Sequence, residues 1–217
     1  ITDNPLICLN HALAENGYSL EIDKNYKFNK VLVIYNFFTK NIKNKILNNK
    51  NKIKINKNSE LHAIEYTVNK SKFKFINNSY EDITLEKNSK FKNLYLQDGR
   101  SDGFFHKFLK SKLFFNSDYS NLIFSSGLKF NKLDVECDML EKNGKCNILS
   151  ALYLNDKEHQ EIKTRINHLS PNCKSYQRVK NVLTSESKGI FQGKIYVRDL
   201  AQKTDAYQLS KALLLND

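Results

Sequence analysis

Few residues of this chain are spaced for chemistry. The histidines are His11, His62, His106, His159 and His168, and none falls in H-x-x-x-H or H-E-x-x-H spacing, so the two-histidine helix face of a zinc peptidase is absent. His168 closes an alternating segment just before Ser170-Pro171 and reads as a core or strand-end histidine rather than a ligand. Cys8, Cys137, Cys146 and Cys173 form no C-x-x-C pair, which argues against a zinc ribbon or a thioredoxin motif. Cys137 and Cys146 sit among Val, Met and Ile at inward-reading positions, where a thiol is buried and inert, and their spacing shows no role in sulfur or cluster transfer. Glu136 and Asp138 lie two apart on one strand face and could meet a cation or a sugar, as acids do in β-solenoid carbohydrate enzymes. Alternating acids on a solvated face are the simpler reading. No G-x-x-x-x-G-K-[ST], G-x-G-x-x-G or G-x-S-x-G is present, so nucleotide binding by this chain alone is not expected.

The elements that would position these residues are strands. In Leu133 to Met139, the residues Leu133, Val135, Cys137 and Met139 share one face and Asp134, Glu136 and Asp138 take the other. Cys146, Ile148, Ser150, Leu152 and Leu154 repeat the pattern, as do Ile162, Thr164, Ile166 and His168. Phe191, Gly193, Ile195 and Val197 follow it again, and Tyr66/Val68, Phe73/Phe75, Ile83/Leu85 and Leu94/Leu96 do so more raggedly. Turn signals such as Asp98-Gly99, Ser126-Gly127, Asn143-Gly144 and Ser170-Pro171-Asn172 separate the runs. Phe104 to Phe115 reads equally as helix or strand. Asp205-Ala-Tyr-Gln208 followed by Leu209 to Leu215 reads as a capping box opening a helix. No βαβ rhythm is visible. Periodicity alone leaves a sandwich, a barrel or a solenoid open. The lack of a strict repeat length weighs against a solenoid. The abundant Asn could stack in ladders, but AT-rich codon usage explains it more simply.

The bulk properties fit one globular domain. The chain has 217 residues, 40% hydrophobic and 27% charged. Its longest apolar runs, Val31 to Tyr35 and Ala212 to Leu215, fall far short of the roughly 20 residues of a membrane helix, so no membrane partner is expected. No signal peptide is read at the start, and Ile1 is not a natural first residue, so a cut N-terminus is expected. The formal charge is +12, but only Arg100, Arg165, Arg178 and Arg198 are arginine among 35 basic residues. Arginine is what grips phosphate and reads guanine. A solvated lysine surface is expected, with a basic polyanion-binding β domain as an alternative. Reduced thiols in the cytoplasm are the default for so few cysteines.

One long stretch carries a family resemblance. His168-Leu-Ser-Pro-Asn-Cys-Lys-Ser175, Val179 to Leu183, Gly189-Ile-Phe-Gln-Gly-Lys-Ile-Tyr-Val197, Ala201-Gln-Lys-Thr-Asp-Ala-Tyr-Gln208 and Leu213-Leu-Leu215 resemble the SufB/SufD family of iron–sulfur cluster assembly scaffolds. Leu9 to Ala12 and Gly17 to Ile22 resemble the opening of the same core more faintly. The S-x-G-x-G-x-x-x-Y-R-G stretch of the SufB-like branch is absent after His168 to Ser175, which points to the SufD-like branch.

The resemblance implies an all-β, right-handed parallel β-helix core, and hence strands where the helix was read over 205–215. It implies that residues 1–217 are one SufD-like core domain, cut at both ends, without an N-terminal helical part and a C-terminal cluster-site and ATPase-docking part. It implies a non-catalytic cytoplasmic scaffold subunit acting with a SufB-like subunit and a SufC-like ATPase, with no nucleic acid or membrane partner. A β-solenoid carbohydrate enzyme remains the alternative. The cluster would be transient in the complex, with no cofactor on this chain. The family's Cys-Ser-His-Gly element would lie beyond Asp217, so no metal ligand carries over. His168, Gly189, Phe191, Gly193, Lys203, Thr204, Asp205 and Gln208 match the signature and are expected to be architectural. An uncapped solenoid end exposes strand edges, so self-association is expected.

Overall fold

The computed structural model describes residues 4–68 and 72–215, with the side chain of residue 68 left out. The expected cuts at Ile1 and Asp217 lie outside the described residues. Among the described residues, one α-helix, α1 (Pro5–Leu13), is followed by fourteen strands, with one short 3-10 turn (Lys40–Ile42) between the second and third. They are β1 (Ser19–Ile22), β2 (Lys27–Phe37), β3 (Ile46–Ile55), β4 (Glu60–Val68), β5 (Ile76–Leu85), β6 (Lys90–Asp98) and β7 (Ser101–Leu113). Then come β8 (Asp118–Ser126), β9 (Leu128–Met139), β10 (Lys145–Leu154), β11 (His159–His168), β12 (Lys174–Leu183), β13 (Lys188–Val197) and β14 (Asp205–Leu214). Odd strands form one seven-stranded sheet in the order β1-β3-β5-β7-β9-β11-β13, and even strands form the other, with every pairing parallel. Each rung of the chain therefore gives one strand to each sheet, and the rungs stack as a β-solenoid of about seven turns.

The repeat that the sequence hides is real but uneven. Lys90, Asp118, Lys145, Lys174 and Asp205 stand side by side at the start of their strands. Successive ones are 28, 27, 29 and 31 residues apart, so no fixed period survives in the sequence. What recurs is the corner between odd and even strands. Asn25, Asn58, Asn88, Asn116, Asn143 and Asn172 all sit there with φ between 55° and 64°. Asn tolerates this left-handed conformation better than other residues with a side chain. Each corner N–H donates to the next rung, as in Asn58 N to Lys87 O at 3.0 Å and Asn88 N to Phe115 O at 2.9 Å. The side-chain amides form a ladder: Asn58 donates to Asn25 (2.9 Å), Asn88 to Asn58 (3.0 Å) and Asn116 to Asn88 (3.0 Å). Codon usage cannot place Asn at six of the seven corners, with Lys203 at the last, so the asparagines at these positions are structural and the simpler compositional account fails for them. Ser89 and Ser117 follow two of these corners and close the turn by donating to Glu86 O and Phe114 O, each at 2.7 Å.

Between the sheets, like side chains stack into columns. Ile55, Leu85, Leu113 and Met139 form one on the odd-strand side, each fully buried. Burial of a side chain of this size contributes about 1.5–3 kcal/mol. Phe104 to Phe115 resolves as strand β7, and the apparent capped helix at 205–215 resolves as strand β14. The register explains the second outcome, because Lys174 to Leu183 templates Asp205 to Leu214 residue for residue.

The outer faces of the sheets differ. On the odd sheet, Lys52, Asp82, Lys110, Glu136 and Arg165 make a column of alternating charge that ends on a second cation, Lys194. Helix α1 also lies on this face. Asn4 caps it by accepting from Leu6 N (3.0 Å), and Pro5 occupies its first turn. Asn10 donates to Asn49 O (3.0 Å) and Asn78 O (2.9 Å), and Asn78 donates back to Leu6 O (2.8 Å). On the even sheet, Val33, Ile64, Leu94, Leu122 and Leu149 make one outward column, and Tyr35, Tyr66, Leu96 and Phe124 make the next.

Candidate functional site

The lumen holds two clusters of groups capable of chemistry, and the sequence displays neither. In the earlier rungs, Lys107 of β7 points inward between two carboxylates. It pairs with Glu65 of β4 at a short distance and with Glu81 of β5 at 3.0 Å. All three are buried. Desolvation works against the Lys107 charge, yet Glu65 and Glu81 together hold its pKa well above the ordinary lysine value. Burial outweighs Lys107 at Glu81 and pushes that carboxyl up. The Tyr95 ring lies under the ammonium at 4.3 Å, and burial raises the Tyr95 and Tyr18 hydroxyl pKa values as well. Asn36 donates to Glu65 at 3.0 Å. Strand β1 has only four residues, so the first rung is short and a polar cavity of about 410 Å³ opens onto Tyr18, Asn51, Glu65, Thr67 and Tyr95. The arrangement stores charge inside the fold, with a cation committed to two acids.

In the later rungs the lumen holds thiols. Cys137 and Cys146 are fully buried on facing strands of one rung, and Cys173 is buried at the corner of the next. The hydrogen bond with Cys137, followed by burial, pushes the Cys146 thiol well up, and burial also raises Cys173. Cys173 occupies the position that Ser89 and Ser117 hold in earlier rungs and donates to Glu141 O at 3.4 Å. His168 is buried beside them with Nε2 at 2.9 Å from Ser175 Oγ, and burial lowers its pKa. The surroundings disfavour the imidazolium at His168 and the thiolates at Cys146 and Cys173, which makes this a quiet pocket. Among the described residues, no three His, Cys, Asp or Glu side chains are placed to hold a metal ion.

The signature residues occupy the last rungs. Gly193 faces Gln208 across the lumen, and a Cβ at Gly193 would run into the Gln208 amide. Gln208 stacks on Gln177, which accepts from Thr164 Oγ1 at 2.6 Å. Phe191 stacks on Ile162, and Gly189 lies against Asn181 and Leu183 at the other corner. Lys203 takes the left-handed corner place with φ 58°, Thr204 donates to Ala201 O at 2.8 Å, and Asp205 N donates to Cys173 O at 3.1 Å. The fold thus joins Gly193 with Gln208 and groups Lys203, Thr204 and Asp205 at one corner. His168 is set a rung earlier and Gly189 at the opposite edge. Glu136 and Asp138 do not form a free acid pair, because Lys110 binds both, at 2.5 and 3.2 Å. That arrangement does not favour the carbohydrate-enzyme alternative.

Two sequence signals bear on what was missed. Asn4-Pro5 is a helix-start signal for α1, which the sequence reading passed over. The repeated corners Asn58-Ser59, Asn88-Ser89, Asn116-Ser117 and Asn143-Gly144 mark the rungs. The lumen charges carry no such signal.

A regular stack of parallel rungs, closed by asparagine corners and filled by side-chain columns, defines the class: a β-solenoid. The family model for the SufBD core domain of SUF system FeS cluster assembly matches residues 37–217. The chain belongs to the SufB/SufD family and has a part in iron–sulfur cluster assembly by the SUF system. No curated protein matches it closely enough to count as a relative. Among the described residues, no helix is long and apolar enough to cross a membrane.

Proposed function

We propose that this chain is the solenoid core of a SufD-like scaffold subunit that assembles with a SufB-like subunit and a SufC-like ATPase. The observation that carries the reading is the family match over residues 37–217. The absence of the S-x-G-x-G-x-x-x-Y-R-G stretch supports the SufD-like branch over the SufB-like one. The subunit is non-catalytic and works in the cytoplasm. The iron–sulfur cluster is cargo of the whole complex, not a cofactor of these residues. Residues 1–217 act as one core domain. The signature residues are architectural: Gly193 and Gln208 set the lumen contact, and Lys203 and Thr204 set a corner.

The test is co-expression of the full-length subunit with SufB-like and SufC-like partners, followed by affinity capture and native mass measurement. A stable complex containing all three is expected. A subunit that stays alone under those conditions overturns the reading.

A further inference from the structure

The outer face of the even sheet carries the strongest unexplained feature of the molecule. Its two apolar columns cross strands β2, β4, β6, β8 and β10 without interruption. Val33, Tyr35, Leu122 and Phe124 are each between 37% and 56% exposed, and Ile64, Leu94, Leu149, Tyr66 and Leu96 between them are half-buried, so the columns face solvent. Strands stack about 4.8 Å apart, which makes the strip about 19 Å long. Alternate residues of a strand are about 7 Å apart, which makes it two side chains wide. The strip changes character at one end. On β12 the same columns continue as Arg178 and Lys180, and on β14 the second continues as Lys211. Among the described residues, none of these three has a carboxylate within 4.0 Å.

We propose that this strip is the seat of an amphipathic α-helix that lies along the solenoid axis with its C-terminal end over Arg178, Lys180 and Lys211. A strip of this length matches about 13 helical residues, and its width matches the apolar stripe of a single helix of about 10 Å diameter. The basic end fixes polarity. A helix C-terminus carries partial negative charge, and Asp or Glu in its last turns would meet three unpaired cations. The opposite face of the molecule offers the precedent, because α1 already lies on the odd sheet and buries Ile7 and Asn10. A second copy of this chain fits worse. At about 19 Å long and two side chains wide, the strip is far smaller than the roughly 800 Å² per partner of a stable protein pair. A helix tethered to this chain or to a protein bound to it needs no such area, since tethering raises its local concentration. The proposal does not rest on the SufD-like reading and stands or falls separately from it.

The probe is a synthetic peptide of about 18 residues, or about 27 Å of helix, with Leu at i, i+3, i+4 and i+7 and Glu in its last two turns. A control peptide has the same Leu stripe, with Glu in the first two turns and Lys in the last two. Binding is read by fluorescence anisotropy up to millimolar peptide, together with the sedimentation state of the free protein. The acidic-ended peptide is expected to bind at least about tenfold tighter than the control, a difference of about 1.4 kcal/mol. That preference should vanish in Arg178→Glu/Lys180→Glu. Binding of both peptides should be lost in Leu94→Ser/Leu122→Ser, whose outward positions leave the lumen untouched, with the melting temperature confirming the fold. Equal binding of the two peptides overturns the proposal, as does binding that survives Leu94→Ser/Leu122→Ser, or no saturable binding to the wild type. A free protein that is dimeric, and becomes monomeric in Leu94→Ser/Leu122→Ser, makes a second copy the occupant and also overturns it.

Discussion

The early and late halves of the lumen hold the same fold by opposite means. Around β4, β5 and β7 the interior is ionic, with Glu65, Glu81 and Lys107 in one buried group. Around β9 to β12 it is uncharged, with Cys137, Cys146, Ile162 and Ile166 fully buried, His168 among them, and its polar contacts made by neutral groups such as Asn131, Gln160, Thr164 and Gln177. The strand geometry is indifferent to this exchange. Stacking needs each inward position to match its neighbours one rung away, and both an ion pair and an Ile column satisfy that. The cost of error differs. An apolar column loses packing when one member is trimmed, whereas a buried ion group left incomplete strands a charge.

Removing the cation should therefore have the largest effect. Lys107→Met leaves Glu65 and Glu81 buried without a counter-charge and is expected to lower stability by about 3–5 kcal/mol in urea unfolding at pH 7. Adding Glu65→Gln and Glu81→Gln to Lys107→Met should recover most of that loss. A triple variant no more stable than Lys107→Met would erase the distinction between the halves. In the late half, Ile166→Ala should cost about 3 kcal/mol by the same measurement, as a cavity and not a charge defect. A corner shared by both halves in kind gives a smaller effect. Asn88→Ala keeps the left-handed turn without the ladder amide and should cost about 1–2 kcal/mol, while Asn88→Gly should cost less because glycine enters that conformation freely.

The smallest expected effect is also the most diagnostic, because the two halves should respond to pH with opposite sign. The Glu81 pKa is raised in the fold. Its favourable contribution is fully present below the ordinary carboxylate pKa and is lost as pH rises through the raised one. The His168 pKa is lowered. Its contribution is fully present above the ordinary histidine value and is lost as pH falls toward the lowered one. Glu81→Gln should flatten the first slope and His168→Gln the second, each read as melting temperature against pH. Slopes unchanged by these substitutions would mean that other groups carry the pH response.

The strands were legible in the sequence wherever a column is apolar. Leu133 to Met139, Cys146 to Leu154 and Ile162 to His168 alternate as the fold has them, because their inward positions face other hydrophobic side chains. The family stretch made the solenoid legible as well. The lumen charges were not, because Glu81 stands between Tyr80 and Asp82, and only the stacking register decides which of the three points inward. Lys107 has the same problem beside His106, whose own ring is buried outward against Asn78 (2.8 Å) and Asp134 (3.2 Å). The rung repeat was hidden by corners of unequal length. The signal lay in the one residue type that recurs at six of the seven corners.

The asparagine ladder has a mechanical consequence. A corner in which each Asn N–H bonds the next rung, doubled by side-chain amides from Asn25 to Asn116, fixes the pitch of the stack, so the molecule behaves as a stiff rod with graduations. Seven strands in a sheet leave six intervals, or about 29 Å from first to last. Whatever is fastened to one end of such a rod is held at a set distance and angle from whatever is fastened to the other. A load applied at one end is passed along the rungs as a lever passes it, with little taken up by bending.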